Sequence, residues 1–168
     1  MTGLAQFAPL AQEAAAALER RAAQYPALVA AGKIAADDAA RELRVWRAIM
    51  EDWHWVVTLE RGDAGPATLA EKIEALEESL RRTERALHKA FAACDVRVRR
   101  QWGEGMAIAS IVDFFGEEAR PFLEAWDRHW AIADLLAWYR RDLPGSDRPG
   151  IAHFVDRHVA MAGRRKAA

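Results

Sequence analysis

Apolar residues recur along this chain at alternating steps of three and four. The longest run is Leu69, Ile73, Leu76, Leu80, Thr83, Leu87, Ala90 and Cys94. That spacing is a heptad seam with charges on both flanks, so it predicts a long helix lying against other helices. Thr68 and Glu71 stand at capping-box spacing at its start, just after Pro66. Upstream, Leu4, Phe7, Ala11, Ala14, Leu18, Ala22 and Tyr25 share one stripe. They predict a helix from about residue 4 to 31, kinked or restarted at Pro26 and stopped by Gly32. A second helix follows within three residues, with Asp37 and Asp38 in its first turn and Leu43, Trp46, Met50, Trp53 and Val57 facing inward. So short a joint between two amphipathic helices predicts an antiparallel hairpin.

Beyond Cys94 the pattern changes. Val96, Arg97, Val98 and Arg99 alternate as in a strand, but a lone four-residue strand has no partner, so residues 95–103 read as a connector or frayed end. A shorter helix is expected over 104–115, stopped by Gly116. Another is expected over 118–141, where Phe122, Leu123, Trp126, Trp130, Ala133, Leu136 and Ala137 cover an arc wide enough for a central helix. Residues 143–150 hold two prolines and two glycines and read as a loop. A last helix over 149–162 leads into a basic tail, Arg164 to Lys166, expected to be disordered. The expected fold is all-α: a single domain over 1–168 built as a bundle of about six helices. Its natural sub-units are a three-helix bundle over 1–95 and a smaller lobe over 104–163.

Composition narrows the function classes. Apolar residues make up 52% of the chain, enough for a core and against global disorder. The net charge of −1 argues against binding driven by a polyanion such as DNA or an anionic membrane. Cys94 is the only cysteine, so no internal disulfide forms and a reducing, cytoplasmic setting is expected. The first residues lack a basic segment followed by a continuous apolar run, which is unlike a secretory signal. The apolar stretch from Met106 to Val112 falls far short of the roughly 20 residues a membrane span needs.

Residues 20–53 carry a resemblance. Glu19-Arg20-Arg21, Tyr25-Pro26-x-Leu28-Val29, Gly32-x-Ile34, Ala39 and Ile49 resemble a helical-hairpin segment of small phage and prophage proteins that mostly lack an assigned activity. The resemblance implies a hairpin and a phage-related origin rather than a reaction. The chain departs from that pattern at Ala35, where such segments usually place Ser or Thr to cap the second helix.

No catalytic set stands out. Glu51 and His54 have the Glu-x-x-His spacing that a helical bundle uses for metals, and His129 is a further candidate ligand. Only one such pair exists, so exposed or boundary polar residues are the plainer reading, and neither a metal nor another cofactor is assigned. No serine stands in a Gly-x-Ser-x-Gly context, and Cys94 continues an apolar seam. Most of the seven tryptophans fall on helical stripes and read as core, whereas Trp55 and Trp102 do not, and they could line a pocket or anchor a partner. Arg97, Arg99 and Arg100 beside Trp102 form the one cluster suited to nucleic acid, although neighbouring acidic residues dilute it. The leading expectation is a non-enzymatic interaction protein that self-associates through Leu69, Ile73, Leu76, Leu80 and Leu87. A metal- or small-molecule-binding bundle follows, then a nucleic-acid-binding protein.

Overall fold

The computed structural model describes residues 3–63 and 65–167. It is all-helical, with no strand among those residues and seven α-helices where about six were expected. They are α1 (Ala8–Ala30), α2 (Ala36–Thr58), α3 (Leu69–Ala93), α4 (Val96–Gly103), α5 (Ile108–Phe115), α6 (Arg120–Arg140) and α7 (Ile151–Ala167). No helix among the described residues is long and apolar enough to cross a membrane. The chain forms two compact units, one of residues 1–76 with 134–168 and one of residues 77–133. This division cuts across a 1–95/104–163 partition, because the chain's last helix belongs with its first two.

In the first unit α1 and α2 make the expected hairpin. Tyr25 donates a hydrogen bond to Glu42, the Arg21 guanidinium lies 4.0 Å over the Trp46 ring, and the Leu4 N–H meets the Val56 carbonyl at 3.2 Å. One partner's number rises as the other falls, so the helices are antiparallel. The turn is built by Gly32 at φ +68°, a left-handed conformation that costs other residues energy. Around it Gly32 N–H bonds Val29 O at 3.0 Å and Lys33 N–H bonds Leu28 O at 2.9 Å, satisfying carbonyls at the end of α1.

Several expectations are corrected. Helix α1 runs through Pro26 without a restart. Pro26 and Ala22 are both exposed, so the carbonyl that loses its donor faces solvent. Residues 96–103 are helical, because Asp95 accepts the Arg97 N–H at 2.8 Å and caps a short turn of helix. The Val-Arg alternation hid this: Val98 is fully buried while Val96 is 65% exposed, as suits two residues well apart around a helix. Helix α5 starts at Ile108 rather than near Glu104. In α6 the buried set is Phe122, Ile132, Leu135, Leu136 and Tyr139, whereas Trp130 and Ala137 are exposed. The basic tail is helical to Ala167.

Each unit has its own apolar centre. The first gathers Phe7, Trp53, Trp138, Tyr139 and Phe154, with neighbouring ring centroids 5.4–6.5 Å apart. The second buries Cys94, Val98, Ile111, Ala119 and Phe122 beneath Leu87, Phe91, Trp102 and Trp126.

Helix α2 begins at Ala35 in extended, N-cap backbone geometry (φ −70°, ψ 146°) with no side-chain cap. Ala35→Ser supplies the missing acceptor for an exposed first-turn N–H. It should raise stability by about 1 kcal/mol in urea denaturation; a neutral or lower value would show that this helix end needs no cap.

Candidate functional site

The polar residues that converge in the first unit lie where α2 ends, a loop crosses over, and α3 begins. Helix α2 closes at Leu59, whose φ of 64° puts a branched residue in the left-handed region and whose N–H bonds Trp55 O at 2.7 Å. Such a conformation costs about 1 kcal/mol or more. Thr58 folds back on the helix, donating to His54 O at 2.8 Å and accepting from Glu60 N–H at 3.1 Å. The loop re-enters helix α3 through the expected capping box: Glu71 N–H to Thr68 Oγ1 at 3.1 Å and Thr68 N–H to Glu71 Oε2 at 2.8 Å. From α2, Arg44 clamps this exit by bonding Glu71 at 2.6 Å and Pro66 O at 2.8 Å.

Beneath the loop stands Asp52. Its Oδ2 accepts from Lys72 Nζ of α3 and from the Tyr139 hydroxyl of α6, each at 2.7 Å. The Lys72 ammonium also lies 5.5 Å from the Tyr139 ring centroid. Burial, together with the Asp52 charge and hydrogen bond, pushes the Tyr139 hydroxyl well above its ordinary range. The Trp53 indole N–H acts weakly the other way without reaching hydrogen-bond geometry, and its Nε1 is buried with no partner. Asp142 is pushed up by burial and by the Asp52 charge, with Lys72 opposing.

Two cavities adjoin this polar node. One, of about 170 Å³, lies under the loop between Glu51, Trp55, Arg61, Gly62 and Lys72. The other, of about 250 Å³, reaches Trp53, Leu69, Tyr139, Asp142 and Ile151, and shares Asp52, Trp55, Arg61 and Lys72 with the first. Glu51 Oε2 is buried with no hydrogen-bond partner. A Cβ at position 62 would meet that carboxylate, so a larger residue there would turn the end of the Glu51 side chain aside. The Arg61 guanidinium lies 4.0 Å over the Trp55 ring.

The residues singled out in the sequence fall in several places. Glu51 and Trp55 line the cavity under the loop, while His54 is exposed. His129 belongs to the second unit, where Nδ1 lies 3.2 Å from Thr83 Oγ1. Among the described residues no three His, Cys, Asp or Glu side chains gather as metal ligands. Trp102 packs edge-on to Trp126 at 4.8 Å and joins the second core. Arg97 pairs with Asp95 and Glu118, and Arg99 donates to the Ala92 and Cys94 carbonyls at the end of α3. Of the arginine cluster, Arg100 is exposed. Along the seam Leu76 is fully buried, and Leu69, Ile73, Leu80 and Leu87 are half-buried within the single chain.

Asp52, Arg61, Lys72, Tyr139 and Asp142 were not singled out. Asp52 and Tyr139 are 87 residues apart, and no local spacing joins them. The available signal was a polar residue beside a tryptophan in each case, Asp52 before Trp53 and Tyr139 after Trp138.

No known protein family matches the chain, and neither a curated protein nor a solved structure shows significant similarity to it.

The Arg44 guanidinium, with the Thr68 N–H, holds the Glu71 carboxyl down to about 2. Its folded value is depressed, so its contribution to stability is present above the ordinary value near 4.5 and is lost as pH falls from there toward 2. Arg44→Gln should therefore flatten the fall in melting temperature over that window. An unchanged acid profile would show that the pair carries none of the pH dependence.

Proposed function

We propose that this protein is a helical binding module that takes a small polar molecule into the cavity beneath the loop between α2 and α3. One observation carries the reading: two carboxylates, two cations and an indole line one small cavity, at Glu51, Asp52, Arg61, Lys72 and Trp55. A buried acceptor without a donor costs about 1–3 kcal/mol, more when it is charged. Glu51 Oε2 is such an acceptor, closed off beneath Gly62, and the fold carries its cost beside the cavity. The surrounding groups form a recognition set: cations at Arg61 and Lys72, the indole of Trp55, and Asp52 held in place by two hydrogen bonds. At about 170 Å³ the cavity is smaller than the ~300 Å³ at which drug-sized sites begin, so the ligand is small.

The seam residues support this reading over self-association through α3. Leu76 has no exposed surface, and its seam neighbours are partly covered by the chain itself. A second copy would find little continuous apolar stripe there.

Binding sites are often maintained at a cost in stability. Glu51→Met replaces the carboxylate by an apolar chain of similar length, and should raise the urea midpoint by the equivalent of about 1 kcal/mol. It should also abolish the shift that small polar fragments cause in the Trp55 indole N–H resonance of the wild-type protein. A destabilised variant, or a wild-type resonance that no fragment moves, would contradict the reading.

A further inference from the structure

The chain that roofs the cavity is held unevenly along its length. Its far end is fixed: Arg44 bonds Pro66 O and Glu71, and Thr68 with Glu71 closes the capping box that starts α3. Its near end is fixed through Thr58, which bonds His54 O and receives the Glu60 N–H. Between these anchors, among the described residues, no hydrogen bond ties Arg61, Gly62 or Asp63 to the rest of the chain. What holds this part down is the Arg61 guanidinium, lying 4.0 Å over the Trp55 ring. The floor beneath is firm, since Asp52 is bonded to both Lys72 and Tyr139.

Closure of the roof has a cost. With Gly62 lying against it, Glu51 Oε2 is buried and has no hydrogen-bond partner. Shutting a charged acceptor away from water shifts an equilibrium by about fivefold or more against the state that buries it. The turn into the segment adds strain, because Leu59 stands at φ 64°, a conformation that a branched side chain resists. An exposed cation–π contact favours closure by only about two- to fivefold. The stack and the carboxylate therefore oppose each other at comparable strength, and lifting Gly62 lets water reach Glu51. We infer that residues 60–63 are a lid over the cavity, latched by Arg61 on Trp55 and biased towards opening by the carboxylate of Glu51. The lid opens and closes in the resting protein, and its opening uncovers the wall that Gly62 hides. This is a property of the loop, so it holds whether or not the cavity takes the ligand proposed above.

The test is thiol labelling of the full chain. Ala48 lines the cavity and is only 6% exposed, so a thiol placed there is covered while the lid is shut. Ala48→Cys is reacted with an aromatic disulfide reagent, and mass spectrometry follows the introduced thiol separately from the buried Cys94. The introduced thiol should react more slowly than a peptide thiol. Its rate should be nearly independent of urea below the unfolding transition, because opening a lid exposes little surface. Arg61→Gln should raise that rate by about two- to fivefold. Glu51→Gln keeps the side-chain volume, removes the charge and should lower the rate by about threefold or more. A rate that climbs with urea along the full slope of global unfolding would overturn the inference, as would one equal to that of a peptide thiol. So would a rate that either substitution leaves unchanged or moves the other way. The fragment titration is read separately: its failure removes the ligand and leaves the lid, and failure of the labelling test removes the lid and leaves the ligand.

Discussion

Asp52 is the point on which the first unit turns. One carboxylate oxygen receives a hydrogen bond from α3 and another from α6, so a single side chain of α2 registers three helices against one another. Apolar packing alone would not do this. The rings of Phe7, Trp53 and Trp138 supply attraction that falls off gently with rotation or sliding, whereas a charge-assisted hydrogen bond tolerates little misalignment. The Lys72 head lies beside Asp52 with its side chain only 16% exposed, so solvent screens the pair weakly and the geometry counts for more than it would on the surface. With α2, α3 and α6 held this way, the loop between α2 and α3 has fixed ends and must pass over a polar floor. The cavities are what remains beneath it.

The second unit is organised on different terms. Its core is almost wholly apolar, and two of its arginines are engaged within the chain: Arg99 covers carbonyls at the end of α3, and Arg97 ties Asp95 to Glu118. Of the three arginines that look suited to nucleic acid in the sequence, two thus have partners within the chain. Cys94 follows the same logic, its thiol buried, donating to Ala90 O and pushed up by burial. Burial of this kind disfavours the thiolate, the form in which a cysteine reacts.

What the sequence disclosed follows from the range of the interactions involved. Periods of three and four identified the all-α class, the hairpin at Gly32 and the capping box at Thr68, because each depends on residues within a few positions of one another. The same reasoning failed at residues 96–103, where a single cap at Asp95 outweighed β-branched alternation, and at α6, where the wide apolar arc did not reveal that Trp130 faces outward and Tyr139 inward. The candidate site was mostly hidden. Glu51 and Trp55 were noticed, the first as a metal ligand and the second for lacking a stripe. Asp52, Lys72 and Tyr139 come from three helices, and no spacing rule joins residues so far apart. Arg61 sits in a loop with no periodicity to mark it.

The account therefore depends on Asp52 acting as a tie and not as a surface carboxylate that happens to lie near a lysine and a tyrosine. A double-mutant cycle between Asp52→Asn and Tyr139→Phe, read by urea denaturation at neutral pH, tests this most directly. The account predicts a coupling energy of about 1 kcal/mol or more, in the range found for residues sharing one hydrogen-bond network. Strictly additive effects would show that the two side chains do not act together, and would contradict it.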